Sequence, residues 1–388
     1  MKVLINAISA KQGGILTYTR NLMPALIKRG IDATFAVPVE FEAVADCPLI
    51  RLDTLHFNAA TRFAWEQVVW RSIVKRNNPD VLFSSANFSL LFPPVPQILL
   101  LREGGLFDPF YLANFAPSQG IRLSLLRRAR RKMMLISTKH ADLIMTPTAE
   151  LRESVLRWAP EMSQRCVANH YGTLETTFGQ TSQQRPWRED GTLRLLYVSI
   201  YYAHKNPGTL VRATLEMAGR NANIHTRITM TPAELESTPG SAQDAILMRQ
   251  GVESGLITTG RHPYDKLPEL YQQSDVFVFP SVSETFGHPM VEALASGMPL
   301  VVAEHPVNRE ICGDAALYFS PFSSADLTDK LQQLDKNPEL RQELGCRGRQ
   351  RVLDLFTWDA HVDRLCALFE QVASTKAKPH TRPLIPPG

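Results

Sequence analysis

The sequence has few cysteines, and their spacing excludes a disulfide scaffold or a structural zinc site. Five cysteines are scattered over 388 residues, their number is odd, and no two of them form a Cys-x-x-Cys pair. Disulfide frameworks are typical of short secreted chains with an even number of cysteines, and structural zinc sites usually contain Cys-x-x-Cys pairs. Isolated thiols are instead typical of a reducing compartment, so the sequence predicts a cytoplasmic protein.

Long apolar segments and a strong excess of one charge are also missing. No stretch of about 18 uninterrupted apolar residues occurs, which argues against a membrane span, and the longest apolar run, at 90–101, is broken by prolines. The opening residues MKVLINAIS predict a strand that leads into a loop and helix, which is not the pattern of a secretory signal. A net charge of only +4 argues against nucleic acid as a partner.

The length and the order of predicted elements indicate two α/β domains. A chain of 388 residues is too long for one ordinary domain, and its 44% hydrophobic and 21% charged content is typical of a globular protein. Strand patterns alternate with helix patterns, which predicts mostly parallel, doubly wound sheets. We expect a first domain at 1–179, a polar linker at 180–191 and a second domain at 192–356. An amphipathic helix at 357–373 follows, and the tail at 374–388 is predicted to be disordered.

One segment of the second domain, SVSETFGHPMVEALASG at 281–297, carries the most specific chemistry. The apolar run at 275–280 predicts a buried parallel strand. Pro289 suits the first position of a helix, and Gly297 suits the left-handed residue that follows a helix end, so we expect a short helix at 289–296.

This strand, turn and helix bring two carboxylates to one crevice. Glu284 lies in the loop after the strand, and Glu292 lies about one helical turn in, so both can face the carboxyl edge of the sheet. The amides of Gly287 and His288 point into the same crevice at the positive end of the helix dipole and suit a phosphate, while carboxylates suit hydroxyls. A ligand with hydroxyls at both ends and an anionic centre is a nucleotide diphosphate sugar. The alternative is two surface glutamates flanking an ordinary helix.

Two further loops have phosphate-binding character. Gly13 and Gly14 lie between a strand and a helix, where paired glycines let a backbone approach a ligand, although Gly-Gly is also an ordinary turn. Lys205 directly precedes a helix in the second domain. A cation is unfavourable at that position without an anion, so Lys205 is placed to meet a diphosphate, the alternative being a solvated lysine.

A basic amphipathic helix is predicted around residues 122–134. Its cations could dock on anionic lipid headgroups, which would suit an enzyme with a lipid-linked acceptor, or they could simply face solvent on the outside of the sheet. The basic residues concerned are Arg127, Arg128, Arg130, Arg131 and Lys132.

The spacing of Glu284, seven residues and Glu292 resembles the paired-glutamate signature of the retaining family-4 glycosyltransferases, which have the GT-B fold of two Rossmann-like domains facing a cleft. The stretch at 310–317 resembles the end of the same domain in that family. The resemblance implies that Glu292 holds the ribose hydroxyls and that Glu284 binds the donor sugar. The resemblance also implies that other residues bind the donor through their backbone or side chains. These residues are Gly14, Lys205, Asn206, Phe286, Gly287 and His288.

The sequence departs from the family pattern at two places. Ser199 and Ile200 stand where many relatives have Gly-Arg, which removes a guanidinium from the phosphate-binding region. Arg102 and Glu103 stand where a histidine is common in the first domain, and Arg102 could instead face the donor or the acceptor. The resemblance also implies that the helix at 357–373 crosses back onto the first domain.

These observations predict a hexosyltransferase that moves a sugar from a nucleotide diphosphate sugar to a glycan or lipid-linked hydroxyl, with retention of configuration. We expect bacterial surface polysaccharide or lipopolysaccharide assembly, in the cytoplasm or at the inner face of the membrane. No Asp-x-Asp motif stands in a plausible site, so activity without a metal or cofactor is predicted. The alternatives are a nucleotide sugar epimerase on the same plan and a non-catalytic nucleotide-sugar or glycan-binding protein.

Overall fold

The computed structural model describes residues 1–11, 13–54, 57, 59–173, 175–179, 186–220, 222–238 and 241–375. Residues 180–185 of the predicted linker and most of the predicted disordered tail, from 376 onward, lie outside the described residues.

The first domain is built on a parallel sheet in the order β3-β2-β1-β4-β5-β6-β7. This doubly wound order brings the loops after β1 and β4 together at the carboxyl edge, where α/β proteins bind ligands. The strands are β1 Lys2–Asn6, β2 Asp32–Pro38, β3 Leu49–Leu52, β4 Val81–Ser84, β5 Gln97–Leu100, β6 Leu143–Thr146 and β7 Cys166–Ala168.

The second domain has a parallel sheet of the same kind, in the order β10-β9-β8-β11-β12-β13. Its central strand β11 reads VFVF, and all four side chains are fully buried because helices cover both faces of the sheet. The predicted strand at 275–280 is thereby confirmed to within one residue at each end. The strands are β8 Leu193–Tyr197, β9 Ile224–Ile228, β10 Ile257–Thr259, β11 Val276–Phe279, β12 Leu300–Ala303 and β13 Ala316–Phe319.

Helices connect the strands in both domains and confirm the predicted α/β class. A π-helical turn at Glu66–Trp70 joins two of them. In the first domain they are α1 Gly13–Lys28, α2 Ala59–Trp65, α3 Arg71–Asn77, α4 Pro109–Asn114, α5 Ile121–Lys139 and α6 Ala149–Leu156. The others are α7 Glu175–Phe178, α8 Pro207–Gly219, α9 Pro232–Glu236, α10 Ala242–Glu253, α11 Leu267–Gln272, α12 His288–Ser296, α13 Pro306–Cys312, α14 Ser324–Lys336, α15 Pro338–Leu355 and α16 Trp358–Thr375.

The chain crosses between the domains twice, and the two crossings touch. Thr173 and Thr357 form an isolated parallel bridge. A Cβ on Gly172 would lie 2.4 Å from the Thr357 backbone, so only glycine fits at this crossing. Phe178 in α7 packs against Tyr264 and Tyr271, with ring centroids 5.8 and 5.7 Å apart, which places α7 on the second domain.

Phe178 lies just before residues 180–191, whose polar composition predicts the linker, and the boundary at 179 stays a prediction.

The last helix, α16, packs on the first domain. Phe369 lies edge to face against Phe83 of β4, with ring centroids 5.6 Å apart. Arg29, which follows α1, donates to Asp363 at 2.6 Å. The helix therefore ties the end of the second domain to the first domain. Among the described residues, no helix is both long and apolar enough to cross a membrane.

Candidate functional site

The second-domain wall of the cleft is the turn between β11 and α12. Gly287 has φ +80°, a left-handed conformation that favours glycine, and a Cβ there would lie 2.4 Å from Met290 Cε. The helix begins at His288, one residue before the predicted start, and ends at Gly297 with φ +71°, as its sequence predicts. The amino end of α12 therefore presents free backbone N–H groups at the cleft.

Lys205 and Glu284 form a buried ion pair in this wall. Lys205 Nζ lies 2.5 Å from Glu284 Oε1, and the side chains are only 13% and 8% exposed. Burial acts to raise the pKa of the Glu284 carboxyl, but the Lys205 ammonium, together with His204 and a hydrogen bond from Ser281, lowers that pKa overall. The hydroxyl of Tyr197 donates to the Lys205 carbonyl at 2.8 Å and holds the lysine loop in place. Lys205 and Glu284, which the sequence predicts to meet the diphosphate and the donor sugar, are thus in direct contact.

Glu292 lies on the same helix in a different environment. Its side chain is buried and accepts a hydrogen bond from the hydroxyl of Tyr271 at 2.9 Å. Burial raises the pKa of Glu292 to about 7, against the opposing effect of hydrogen bonds from Tyr271 and Tyr264. The two glutamates therefore differ: Glu284 is held ionised by a cation, whereas Glu292 titrates near neutrality.

His288 joins the two domains by ring stacking. Its imidazole stacks on Tyr171 of the first domain with centroids 5.3 Å apart and an interplanar angle of 7°. Burial, with a smaller effect from nearby Arg102, lowers the pKa of His288 to about 4. The ring is therefore neutral at physiological pH and can contribute hydrogen bonds without adding charge.

The first-domain wall is formed by the start of α1 and the segment after β5. A Cβ on Gly14 would lie 3.4 Å from Arg102 Nη2, so the glycine lets the guanidinium approach the helix. The guanidinium carbon of Arg102 lies 5.9 Å from the ring centroids of both Tyr18 and Tyr171. Glu103 is turned toward α5, where it accepts a bidentate hydrogen bond from Arg130.

Two cavities open between these walls. The larger, of about 810 Å³, is lined by first-domain residues such as Asn87 and Arg102 and by second-domain residues such as Tyr202. The smaller, of about 490 Å³, contains His288 and Glu292. Both cavities include Gly14, Ile200 and Arg261 in their linings, so they meet beside the start of α1.

Contacts across the cleft hold the two domains together near Glu284. Asp108 caps α4 by accepting from the Phe110 amide at 2.9 Å, and it also accepts from Ser283 Oγ of the second domain. His305 Nε2 lies 3.5 Å from the same carboxylate. Burial acts to raise the pKa of Asp108, but His305 and Ser283 lower it overall, so the group is ionised in this arrangement.

A second cross-domain contact involves the first turn of α6. Glu310 of α13 accepts hydrogen bonds from the backbone amides of Ala149 and Glu150 at 2.6 and 2.7 Å, and His170 lies 2.6 Å from the same carboxylate. A carboxylate is favourable there because the free amides of a helix start carry partial positive charge. Glu310 therefore caps a helix of the opposite domain.

Two further residues named from sequence lie beside the second-domain wall. Asn206, which the resemblance implies in donor binding, donates from its amide to the Pro280 carbonyl at 3.3 Å and accepts from Thr209 at 2.9 Å. Its backbone is left-handed, with φ +49°, so the residue shapes the turn before α8. Ile200, which replaces an expected arginine, is 48% exposed at the cleft, and Arg261 lines the same cavities.

The basic helix predicted around residues 122–134 is present as α5, and several of its cations have partners within the protein. Arg127 donates to Gln119, Arg130 to Glu103, and Arg131 lies 3.6 Å above the ring of Trp158, so these three cations are engaged within the protein. Their orientation follows from packing contacts that a helical pattern does not reveal. The exposed face instead presents Arg122, Arg128 and Lys132 with the apolar side chains of Ile121, Leu123, Leu125 and Leu126.

Sequence analysis missed several residues of this cleft. Tyr264 and Tyr271 contact Glu292, but they lie in short helices before β11, so no local sequence pattern links them to Glu292. Asp108 and Glu310 act across the domain interface, so only the folded structure could have identified them. Among the described residues, no group of three or more His, Cys, Asp or Glu side chains could hold a metal ion.

Comparison with known proteins agrees with this architecture. Residues 188–351 match the family model of the glycosyl transferases group 1. Mannosylfructose-phosphate synthase from Agrobacterium fabrum is 35% identical over 31% of this chain and 27% of its own length. The chain spans 27%, 34% and 42% of the length of three such curated relatives.

Solved structures of similar shape cover both domains. Sucrose-phosphate synthase from Thermosynechococcus elongatus superposes with a TM-score of 0.77 at 18% identity, over 97% of this chain and 100% of that one. Anabaena HepE in complex with UDP-glucose gives a TM-score of 0.68 at 14% identity, over 97% and 99% of the two chains. At these identities the likeness establishes the fold, which is GT-B, with two parallel-sheet domains around a cleft.

Proposed function

Because residues 188–351 match the glycosyl transferases group 1 model, we propose that this chain transfers a sugar from a nucleotide diphosphate sugar to a hydroxyl group, with retention of anomeric configuration. The observation that carries this proposal is the placement of Glu284, Lys205 and Glu292 around the amino end of α12. Hydroxyl-binding carboxylates flank a cation and free amides, which is the arrangement that a donor of this kind requires.

In this proposal the nucleotide occupies the smaller cavity. Glu292 accepts hydrogen bonds from the ribose hydroxyls, and the aromatic ring of Tyr264 lies beside it, 41% exposed. The diphosphate lies against the amides of Gly287 and His288, where the helix dipole favours an anion. The donor sugar then reaches Glu284.

Lys205 supplies the main electrostatic contribution to catalysis. Its ammonium is already fixed by Glu284, so it needs little reorganisation to offset the charge that develops on the departing diphosphate. Sugar hydroxyls can replace Lys205 as hydrogen-bond partners of Glu284 when the donor binds. We propose that the leaving phosphate deprotonates the acceptor hydroxyl and that no metal or cofactor takes part.

The acceptor is proposed to enter through the larger cavity from the side of α5. The exposed end of this helix combines Arg122 and Arg128 with apolar Ile121 and Leu125, a composition that binds anionic lipid surfaces. A lipid-linked acceptor at the inner face of the membrane, as in surface polysaccharide assembly, fits this placement. Co-sedimentation with phosphatidylglycerol vesicles, compared for the wild type and Arg122→Glu/Arg128→Glu, tests it.

The decisive experiment is donor binding followed by turnover. UDP, GDP and their sugars are screened for thermal stabilisation, and the sugar that stabilises is then supplied with glycan acceptors. Glu284→Gln should retain nucleotide affinity and lose nearly all transfer, whereas Glu292→Ala should mainly weaken donor binding. Equal activity of both variants and the wild type would contradict the proposal.

Two other outcomes would favour the alternative functions. Conversion of the donor to another nucleotide sugar without any acceptor would identify an epimerase. Tight donor binding with no transfer to any acceptor would identify a non-catalytic binding protein, for which the exposed Ile200 in place of a phosphate-binding arginine is the supporting feature.

A further inference from the structure

The larger cavity has one cation whose charge the protein does not balance. Four arginines and three glutamates line this cavity. Three of the arginines are each paired with one of the glutamates: Arg62 with Glu66 at 2.9 Å, Arg130 with Glu103 at 2.7 Å, and Arg261 with Glu234 at 2.8 Å. The fourth, Arg102, forms no ion pair with any described residue.

The guanidinium of Arg102 also has no hydrogen bond to the part of the chain that the structure describes. Its Nη1 is fully buried without a hydrogen-bond partner among the described residues. An unpaired buried donor is costly, and one on a charged group more so. The neighbouring tyrosine rings, each 5.9 Å from the guanidinium carbon, fix its position but give only weak cation–π attraction. The charge and the hydrogen-bonding capacity of Arg102 are therefore satisfied only when an anion is bound.

The position of Arg102 indicates which part of the substrates it meets. It follows β5, at the carboxyl edge of the first-domain sheet, where ligands bind in α/β domains. A Cβ on Gly14 would lie 3.4 Å from Arg102 Nη2. Because Gly14 lines both cavities, Arg102 lies where the two cavities meet. The amino end of α1 adds partial positive charge at the same point. Sugars, rather than the nucleotide, occupy this junction under the proposed function.

We propose that Arg102 binds an anionic group, a carboxylate or a phosphate ester, on one of the two sugars that meet in the cleft. The enzyme then acts on an acidic glycan, and Arg102 determines this specificity. Planar guanidinium groups pair with carboxylates and phosphates through two parallel hydrogen bonds, which explains an arginine here in place of a smaller donor. This inference rests on the proposed function for the identity of the ligands, and its test separates the two.

The test compares charged with neutral sugars by calorimetry on the full chain. Glucose, glucuronate and glucose 6-phosphate are titrated into protein saturated with UDP or GDP, and also into nucleotide-free protein, to examine the acceptor. UDP-glucose and UDP-glucuronate are compared to examine the donor. We expect the charged form to bind at least about tenfold more tightly than the neutral form in one of these comparisons.

Variants then assign the preference to Arg102. Arg102→Gln should abolish the preference for the charged sugar, and Arg102→Lys should keep part of it, since the charge remains but the bidentate geometry is lost. Arg130→Gln is the matched control, because it removes the same charge from the same cavity at a residue that already has a partner, Glu103. This control should change the preference for the charged sugar less than threefold. Thermal unfolding of each variant verifies that it is folded.

Three results would overturn the inference. The first is equal affinity for charged and neutral sugars in every comparison, and the second is an unchanged preference in Arg102→Gln. The third is a loss of UDP affinity in Arg102→Gln as large as its loss of affinity for the charged sugar. That third result would assign Arg102 to the diphosphate. Absence of binding to any nucleotide contradicts the proposed function instead, and the titrations of nucleotide-free protein still decide the role of Arg102.

Discussion

Gly104 of the first domain lies directly against the backbone of Glu284 in the second. A Cβ on Gly104 would lie 2.9 Å from Thr285 Cγ2, closer than real Cβ atoms approach other atoms, and 3.2 Å from the Glu284 carbonyl oxygen, which is a tight contact. The short helical turn at Gly104–Leu106 thus packs against the loop that carries Glu284. A side chain at position 104 would have to displace Thr285 or the Glu284 backbone.

We therefore expect Gly104→Ala to displace the loop that carries Glu284 without touching a substrate-binding side chain. Turnover should fall about tenfold, because a misplacement of well under 1 Å is enough to disturb reacting geometry. Nucleotide affinity should change less than threefold, because Glu292 and its cavity lie elsewhere on the second domain. Steady-state kinetics and nucleotide titration measure both effects.

Gly105→Ala is the matched control for this substitution. Its added Cβ would meet only the Tyr111 ring at 3.5 Å, an ordinary van der Waals distance. It should retain near-normal turnover. If both alanine variants are equally impaired, the loss reflects the flexibility of the glycine pair and not the contact with Glu284.

Glu310→Gln should weaken the interface between the domains. The Glu310 carboxylate accepts hydrogen bonds from two amides of α6, and the loss of its charge should lower the free energy of unfolding by about 1–3 kcal/mol at pH 7. Burial acts to raise the pKa of Glu310, but hydrogen bonds from His170 and the amides lower it below its usual 4.5. Its stabilisation is therefore present above pH 4.5 and is lost as the pH falls through the lowered pKa.

Urea unfolding at pH 7 and pH 4 measures this difference. The gap between the wild type and Glu310→Gln should be smaller at pH 4. Glu304→Gln serves as the control, since Glu304 pairs with Arg309 on the surface with 43% of its side chain exposed, and it should change stability by less than about 0.5 kcal/mol. A cost for Glu310→Gln that is the same at both pH values would show that the charge is not responsible.

Local sequence patterns were sufficient to predict the second-domain half of the cleft. The strand, Pro289 and Gly297 are adjacent in sequence, so their preferences fix where Glu284 and Glu292 emerge. The alternation of strand patterns with helix patterns likewise predicted both sheets. The strands could be recognised because buried parallel strands require continuous apolar runs.

Contacts between distant segments could not be predicted in this way. Ser283 and Asp108 are 175 residues apart, and nothing in the sequence near either residue indicates the other. Asn206 is a further example, because the hydrogen bonds of its side chain to Pro280 and Thr209 have no signal in the sequence beside Lys205. The direction of a side chain in a loop depends on neighbours that folding alone brings together.

Donor affinity should depend on pH through Glu292. Burial raises the pKa of this carboxyl to about 7, and ribose hydroxyls are bound by its ionised form, so affinity should be full at pH 8 and fall about tenfold by pH 6. A nucleotide sugar must be used as the ligand, because the terminal phosphate of a nucleoside diphosphate itself titrates near pH 6. Calorimetric titration across this range gives the profile.

Two variants test whether Glu292 is the titrating group. Glu292→Gln should bind weakly with little dependence on pH. Tyr271→Phe removes a hydrogen bond that lowers the pKa of Glu292, so its affinity should begin to fall at a higher pH than in the wild type. A wild-type affinity that stays constant from pH 6 to pH 8 would contradict the proposed ribose contact.

The buried pair of Lys205 and Glu284 leads to the sharpest expectation. Lys205→Met should lower kcat by about 10²–10³, the usual effect of removing a group that stabilises charge in the transition state. It should also destabilise the protein by about 3–5 kcal/mol, because the Glu284 carboxylate is left buried without its cation. The double variant Lys205→Met/Glu284→Gln should regain most of that stability while remaining inactive. Lys266→Met, which breaks an exposed pair with Glu269, should alter neither property. Recovery of stability without recovery of turnover separates the structural role of the pair from its catalytic role, and substantial turnover in Lys205→Met would exclude this lysine from the reaction.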